Sequence, residues 1–144
     1  MHRLTSERGT AILETALTLP LLLILSVSIF EFGRAYQTWQ VLTNAAREGA
    51  RVSVLPNQSV GNVQARVRSY MTSGELPNAA TAAVAVDQNA TLSIGTGTAS
   101  ASVVTVSYPF QFVVLQRVAR LLVSGSTLGT PFTLTASAEM RNEQ

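Results

Sequence analysis

The sequence of 144 residues lacks the side chains on which most enzyme mechanisms depend. It contains no cysteine and no lysine, and its single histidine is His2, beside the start of the chain. The absence of cysteine excludes a disulfide framework, a thiolate zinc site and a thiol nucleophile. A Ser/Lys pair is excluded as well, and His2 is poorly placed for a Ser/His/Asp arrangement. We therefore expect a protein that is not an enzyme and that holds neither a metal nor a cofactor.

Charged residues are scarce. They make up 12% of the chain, against about 25% in typical soluble domains. Hydrophobic residues reach 47%, and the mean hydropathy is +0.26. This balance excludes disorder and indicates a membrane segment joined to a small folded part. No nucleic-acid partner is expected despite the isoelectric point of 9.7, because the net charge is only +2 and the arginines are spread along the chain rather than clustered in a patch.

Residues 10–30 form a long apolar run, TAILETALTLPLLLILSVSIF, with one charge at Glu14. Charged residues return at Glu31 and Arg34. As a helix, the uncharged stretch between Glu14 and Glu31 would span about 24 Å, slightly less than the bilayer core of about 30 Å. If this helix crosses a membrane, Glu14 must lie at the boundary or meet a partner.

A carboxylate inside a membrane is a functional-site hypothesis, because it costs about 2.5–3.5 kcal/mol at the centre of the bilayer. A cation is the expected partner, since a nearby opposite charge favours the ionised form. If the chain were cut after Gly9, the new amine of Thr10 would lie four residues before Glu14, which is one helical turn. In a bundle of parallel helices, each amine could meet the carboxylate of a neighbour.

Several short segments occur in a specific order. They are Arg8–Ala11, Glu14, Leu19–Leu23, Glu31–Ala35, Asn44–Arg51 and, at the end of the chain, Ala138–Glu143. A glycine five residues before a glutamate, preceded by basic residues and followed by an apolar helix, resembles the prepilin-peptidase site of type IV pilins. The whole arrangement resembles the TadE-like family of minor pilins or pseudopilins of tight-adherence (Flp) pilus systems. The resemblance is firm over the first third of the chain and looser at the tail.

This resemblance implies that residues 1–9 are a leader, which a prepilin peptidase removes by cutting between Gly9 and Thr10. It further implies that Glu14 sets the axial register by pairing with the new amine of a neighbouring subunit. Pro20 should remove one backbone hydrogen bond and bend the helix. The resemblance favours a role for that bend when subunits enter or leave an assembly.

The resemblance also implies a place in the cell and a set of partners. The chain would be a single-pass protein of the bacterial inner membrane, with a cytoplasmic N-terminus, a transmembrane segment over 10–34 and a periplasmic head over 35–144. The implied partners are the prepilin peptidase, the major Flp-type pilin, other minor pilin-like subunits, the inner-membrane pilus platform and the lipid bilayer. Whether the subunit enters the fibre, caps it or stays in the assembly machinery is left open.

Two other interpretations of the N-terminus stay open. Residues 1–34 could be an uncut membrane anchor in which Glu14 is an incidental polar residue, and the protein a membrane-anchored periplasmic binding module. Alternatively, they could be a secretory signal that ends at Ser26-Val27-Ser28. Arginines lie on both sides of the apolar run, so the positive-inside rule does not decide the orientation.

Beyond the membrane, the helix is predicted to continue from Tyr36 to Leu55. The residues that recur at helical spacing, and so define its predicted inner face, are Tyr36, Trp39, Leu42, Ala46, Gly49 and either Val52 or Ala50. Ala45 with Gly49, and Ala46 with Ala50, form two small-x-x-x-small pairs that permit close approach. Packing against a sheet within the same chain is favoured for this face.

Glu31, Gly33 and Arg34 are assigned to the exit from the membrane, and the small residues that follow to helix packing. The Glu31–Arg34 and Glu48–Arg51 pairs, at a spacing of three residues, are interpreted as ordinary surface ion pairs.

The rest of the sequence predicts a small head. A short helix is expected over 60–71, strands around 84–94, 103–108 and 132–140, and a second helix over 110–123. Residues 87–89 are a possible turn or bulge, and 95–100 are predicted to be a loop. Because apolar and hydroxylated residues alternate in the strands, an antiparallel sheet covered on one face is expected. The predicted fold class is α+β and pilin-like: a long, partly transmembrane N-terminal helix packed on a small antiparallel sheet with short helices.

Overall fold

The computed structural model describes residues 4–142. Its elements in chain order are α1 (Leu4–Ser53), α2 (Val60–Ser73), a 3-10 turn (Ala79–Thr81), β1 (Ala83–Ile94), β2 (Gly97–Phe110), α3 (Leu115–Leu122) and β3 (Phe132–Arg141). The α+β class is confirmed: a long apolar N-terminal helix accompanies a three-stranded antiparallel sheet and short helices.

The chain divides into two compact units. The N-terminal unit combines Met1–Arg34 with Gln111–Pro131, and the sheet unit combines Ala35–Phe110 with Phe132–Gln144. The segment 111–131, which the sequence interpretation included in the head, therefore groups with the N-terminal part of α1.

In the N-terminal unit, α1 presents apolar side chains on all sides. Most of the large ones between Ile12 and Phe30 are more than half exposed. The hydroxyls in this stretch donate to backbone carbonyls one turn earlier, as in Thr15 to Ala11 and Ser26 to Leu22. A polar side chain satisfied in this way is compatible with an apolar environment.

The sheet unit contains a sheet in the order β1-β2-β3, with both pairs antiparallel. The register shifts between Asp87 and Ala90, which confirms the predicted irregularity there. One face of the sheet is apolar. On this face, Val104 of β2 pairs with Val86 and Ala138, and Val106, two residues further on, pairs with apolar residues of both other strands as well. On the other face, Thr105 and Ser137 lie within hydrogen-bonding distance, 3.0 Å apart. The predicted alternation along β2 and β3 is thus confirmed.

Helices α1 and α2 cover the apolar face. The core consists mainly of small and β-branched side chains: Leu42, Ala45, Ala46 and Ala50 from α1, Val63, Val67 and Met71 from α2, and Val84, Val104, Val106, Tyr108 and Ala136 from the strands. The Ser59 side chain begins α2 by accepting from the Asn62 N–H at 3.2 Å, as an N-cap serine does. The predicted helix over 60–71 is confirmed and extends to Ser73.

Two predicted boundaries were wrong. Residues 95–100 are not a loop, because Ile94 already pairs with Gly97 across a two-residue turn in which Gly95 has a φ of +59°. Glycine adopts this conformation without a steric cost, so the strands can extend to the turn. The helix predicted from residue 110 begins only at Leu115, because Phe110 belongs to β2. There it is 2% exposed and pairs with Phe132, with ring centroids 5.5 Å apart.

Candidate assembly segment of the N-terminal helix

The predicted cleavage junction lies inside α1. Gly9 and Thr10 are both helical and exposed, whereas residues 1–3 of the predicted leader lie outside the described part of the chain. A Cβ added at Gly9 would meet nothing within 4 Å, and its φ is not positive. Since glycine in a helix interior costs about 0.5–1 kcal/mol relative to alanine, neither packing nor backbone conformation accounts for a glycine here.

Glu14 is exposed on the apolar surface of α1, one turn after Thr10. Its backbone carbonyl accepts a hydrogen bond from the Thr18 hydroxyl at 2.9 Å. Among the side chains that the structure describes, none forms an ion pair with its carboxylate. In the single chain, the carboxylate therefore lies exposed beside threonines at positions 10, 15 and 18, within an otherwise apolar segment.

Pro20 lies in the interior of α1, which continues through it as helix. Because proline has no N–H, the Ala16 carbonyl loses its usual partner four residues on. The predicted role of Pro20 as a bend stays a prediction.

One helix in the described part of the chain could cross a membrane. Within Gly9–Ser53, an 18-residue window has a mean hydropathy of 2.1, and none of that window is buried. The apolar surface is therefore left for lipid or for other helices to cover.

Glu31 is not an ordinary surface residue, and its predicted role in an exposed ion pair was wrong. Its side chain is fully buried. One carboxylate oxygen, Oε1, accepts from the Val113 N–H at 2.9 Å and from the Val114 N–H at 2.7 Å. The other, Oε2, accepts from Arg34 Nη2 at 2.8 Å. The same guanidinium nitrogen also donates to the Gln111 carbonyl.

These five residues form the Glu31 clamp: Glu31, Arg34, Gln111, Val113 and Val114. Val113 and Val114 immediately precede α3, so the carboxylate lies close to the start of that helix, where negative charge is favourable. An edge-to-face contact between Phe32 and Phe112, with centroids 5.7 Å apart, accompanies the clamp. The clamp holds the start of α3 against α1 at the first charged residue after the apolar run.

The small residues of α1 serve the core of the sheet unit. Ala45, Ala46 and Ala50 are at most 1% exposed. A Cβ at Gly49 would lie 2.5 Å from Val67 Cγ2 and 3.1 Å from Val104 Cγ1. Close approach along this face is thus used within the chain, as the sequence favoured.

The aromatic part of the predicted inner face was wrong. Tyr36 is 61% exposed and Trp39 41% exposed. The buried stripe instead passes through Ala35, Thr38 and Leu42. Gly33 is exposed, and a Cβ there would meet nothing within 4 Å, so no packing within the described chain requires it.

A three-residue ion cluster joins α1 to α2. Glu48 accepts hydrogen bonds from Arg51 at 2.9 Å and from Arg66, also at 2.9 Å. The hydrogen bonds from Arg51 and then from Arg66 lower the pKa of Glu48 to about 2. The sequence showed the Arg51 partner through its spacing, but not Arg66, which lies on another helix.

The tail motif contains one residue with a structural role, Asn142. The Asn142 side chain accepts from the Ser102 hydroxyl at 2.9 Å and donates to the Gln88 carbonyl at 3.1 Å. It also donates to the Ser100 hydroxyl at 2.8 Å. Asn142 therefore fastens the end of β3 to both other strands. Glu143, the last residue of the motif, lies outside the described residues.

Comparison with known proteins bears on the N-terminal segment. The family model of TadE-like protein matches residues 9–51. No curated protein and no solved structure matches the chain. The segment from Gly9 to Arg51 is therefore similar to TadE-like proteins, which confirms the resemblance that its motifs indicated. The match does not extend over the sheet.

Proposed function

We propose that this protein is a pilin-like minor subunit, or assembly factor, of a tight-adherence type IV (Flp) pilus. The observation that carries the proposal is the TadE-like match over residues 9–51, since this family indicates association with tight-adherence pili. The matched segment contains the glycine of the suspected junction, Glu14 and the whole apolar run. Residues 10–34 anchor the protein in the inner membrane, and the head lies in the periplasm.

In this proposal, a prepilin peptidase removes residues 1–9 and frees the amine of Thr10. The unexplained Gly9 supports this step, because a helical glycine that contacts nothing is understandable if a protease must accommodate it. The helix includes the junction, so the peptidase has to unwind a turn of it before cutting.

Glu14 then meets the ammonium group of a neighbouring subunit. Its exposed position on the apolar surface supports this role, because an unpaired carboxylate in hydrocarbon costs a few kcal/mol. An ion pair with the ammonium group removes most of that cost. It forms only where the helices of the two subunits are staggered so that the ammonium of one lies beside the Glu14 carboxylate of the other. The pair would therefore select one axial register, which the bend at Pro20 helps subunits reach.

The partners in this proposal are the prepilin peptidase, the major Flp-type pilin, other minor pilin-like subunits and the inner-membrane platform. No catalytic step is assigned to the chain.

A second function is an uncleaved, membrane-anchored binding module. The observation that favours it is the helical state of Gly9 and Thr10, since proteases preferentially cut flexible, exposed segments. In this case, Glu14 would have no ammonium partner and its replacement would have little effect.

The first test uses Glu14→Gln in cells that depend on this subunit for pili. We expect normal insertion and leader removal but loss of fibres by electron microscopy, because the neutral side chain cannot select the register. Thr18→Ala is the matched control, since it removes a polar group one turn away without changing the charge. Wild-type piliation of Glu14→Gln would contradict the register role.

The second test concerns the junction. Gly9→Leu should block leader removal and pilus formation. Gly33→Leu is the matched control, because both glycines lie exposed on α1 and a Cβ at either one would meet nothing within 4 Å. It should leave leader removal intact. If the Gly9→Leu protein supports piliation without being cut, the binding module becomes the better interpretation.

A further inference from the structure

The segment 111–131 of the N-terminal unit exposes apolar side chains. Leu121 is 84% exposed, more than any other large apolar side chain described. The other exposed apolar residues of the segment are Val113, Val114, Val123 and Leu128. Leu115 and Ala119, one turn apart on α3, are buried, so one face of this helix is already covered. The exposed apolar side chains of the segment are left uncovered by the described residues.

The charge of this segment has one sign. Between Gln111 and Pro131, the sequence contains Arg117 and Arg120 but no aspartate or glutamate. Both arginines are exposed, and neither forms an ion pair with the described residues. Arg117 lies one turn before Leu121, so positive charge and the most exposed apolar side chain are neighbours on α3.

The Glu31 clamp determines where this surface lies. Glu31 is the first charged residue after the apolar run, and its carboxylate accepts hydrogen bonds from the Val113 and Val114 amides at distances of at most 2.9 Å. That position is the predicted end of the membrane span, where hydrocarbon gives way to lipid headgroups. Since α3 has eight residues, its whole length is about 12 Å, so it cannot extend far from this boundary.

We propose that the segment 113–128 docks on the bilayer surface at the end of the span, as a second membrane contact. Leu121, Val123 and Leu128 enter the boundary between headgroups and acyl chains. Arg117 and Arg120 contact the phosphates of anionic lipids. On α3 the arginines and Leu121 share the face opposite the buried Leu115 and Ala119. Such a face is suited to this interfacial position, because the apolar stems of arginine lie along the acyl boundary while the guanidinium groups reach the headgroups.

A lipid surface fits better than a second copy of the chain for two reasons. The surface is continuous with the membrane-spanning part of the same unit, to which the clamp attaches it. Its two unpaired positive charges would repel the same face of another copy, whereas an anionic membrane attracts them. The inference requires only that residues 10–30 lie in a bilayer, and it is independent of cleavage after Gly9 and of the role of Glu14.

The test uses the full-length protein reconstituted in phosphatidylcholine vesicles, with or without phosphatidylglycerol. Because the chain has no cysteine, Leu121→Cys can carry a single environment-sensitive fluorophore. Quenching by spin-labelled lipids reports lipid contact, and quenching by iodide reports exposure to water. Ile29→Cys, in the apolar run, gives the value for a label inside the bilayer.

We expect strong quenching of the Leu121→Cys label by spin-labelled lipids and protection from iodide, both increased by phosphatidylglycerol. Arg117→Gln with Arg120→Gln should weaken docking by up to about 30-fold, since each arginine near an anionic surface contributes about fivefold. Arg47→Gln with Arg141→Gln removes the same charge from two other exposed positions and should have no effect.

Three results would overturn the proposal. A label that iodide reaches in both kinds of vesicle shows that the surface stays in water. Protection from iodide without quenching by lipids shows that protein, such as a second copy, covers it. If lipid quenching changes neither with phosphatidylglycerol nor with the arginine substitutions, Arg117 and Arg120 do not bind anionic lipids.

Discussion

Replacement of Gly49 by alanine tests the closest contact in the sheet unit. A Cβ at this position would lie 2.5 Å from Val67 Cγ2 and 3.1 Å from Val104 Cγ1, whereas carbon atoms pack at about 3.5–4.0 Å. Both valines are fully buried, and β-branched side chains have few rotamers with which to withdraw. The extra methyl group must therefore push α1 away from α2 and the sheet.

The expected magnitude is the difference between two effects. Overpacking of a close-packed core costs about 1–3 kcal/mol, while replacing glycine by alanine within a helix contributes about 0.5–1 kcal/mol of stability. The central values of the two ranges leave a net loss of about 1 kcal/mol for Gly49→Ala. For the sheet unit, which has about 90 residues, that corresponds to a decrease of about 4–8 °C in the midpoint of thermal unfolding.

The assay is thermal unfolding of the full chain in detergent, followed by near-ultraviolet circular dichroism and by Trp39 fluorescence. Gly33→Ala is the matched control on the same helix, because a Cβ there meets nothing within 4 Å, and it should not lower the midpoint. A second substitution, Val67→Ala, should make the Gly49→Ala change less harmful, since it removes the clashing methyl group. A Gly49→Ala protein as stable as the wild type would refute the close packing described above.

Three further predictions concern the clamp, the ion cluster and the contribution of α1 to the core. Glu31→Gln should speed hydrogen exchange of the Val113 and Val114 amides about fivefold, because the glutamine oxygen still accepts from both N–H groups and the change from a charged to a neutral acceptor costs about 1 kcal/mol. Unchanged exchange would argue against the clamp. The pKa of Glu48 is lowered to about 2, so its ion pairs stabilise the fold above the unfolded value near 4.5 and that stability is lost as the pH falls from about 4.5 to 2. Because both arginines are largely exposed, we expect a loss of only about 1 kcal/mol in the free energy of unfolding, and Glu48→Gln should abolish this part of the pH dependence. Finally, the fragment 56–144 should not fold, because α1 supplies Leu42 and the small residues of the core; a cooperative melting transition of the fragment would contradict this.

The strands and α2 could be predicted from the sequence because their patterns are local. In β3, apolar residues alternate with threonine and serine, and this period matches the observed pairing with β2. In α2, Val63, Val67 and Met71 follow a helical spacing, and all three are buried. Where one period is maintained over eight or more residues, local pattern and tertiary contacts agree.

The buried face of α1 could not be predicted from hydrophobicity alone. Tyr36 and Trp39 are the largest apolar side chains near the start of the stretch that packs on the sheet, but the buried positions are taken by Ala45, Ala46 and Gly49. Small residues allow the backbone of α1 to approach Val67 and Val104 closely, so backbone distance rather than side-chain size decides which face turns inward.

The burial of Glu31 also lies beyond what the sequence can indicate. Its carboxylate oxygen accepts from backbone amides 82 and 83 positions away. Almost every residue has a backbone N–H, so the residue types at those positions do not reveal the contact. The spacing to Arg34 showed one partner only, which made the pair resemble many exposed pairs. For the junction at Gly9 the opposite holds: the sequence motif marks it, and the fold of the single chain provides no use for it.

We propose that the lone acid on the apolar helix, Glu14, is tolerated because cleavage supplies its ammonium partner. The most direct measurement is the intact mass of the protein extracted from the membranes of cells that make pili. We predict a chain that begins at Thr10, without residues 1–9. A chain that still begins at Met1 in piliated cells would contradict this role of cleavage. A chain that has lost residues 1–28, as a secreted protein would, contradicts it as well.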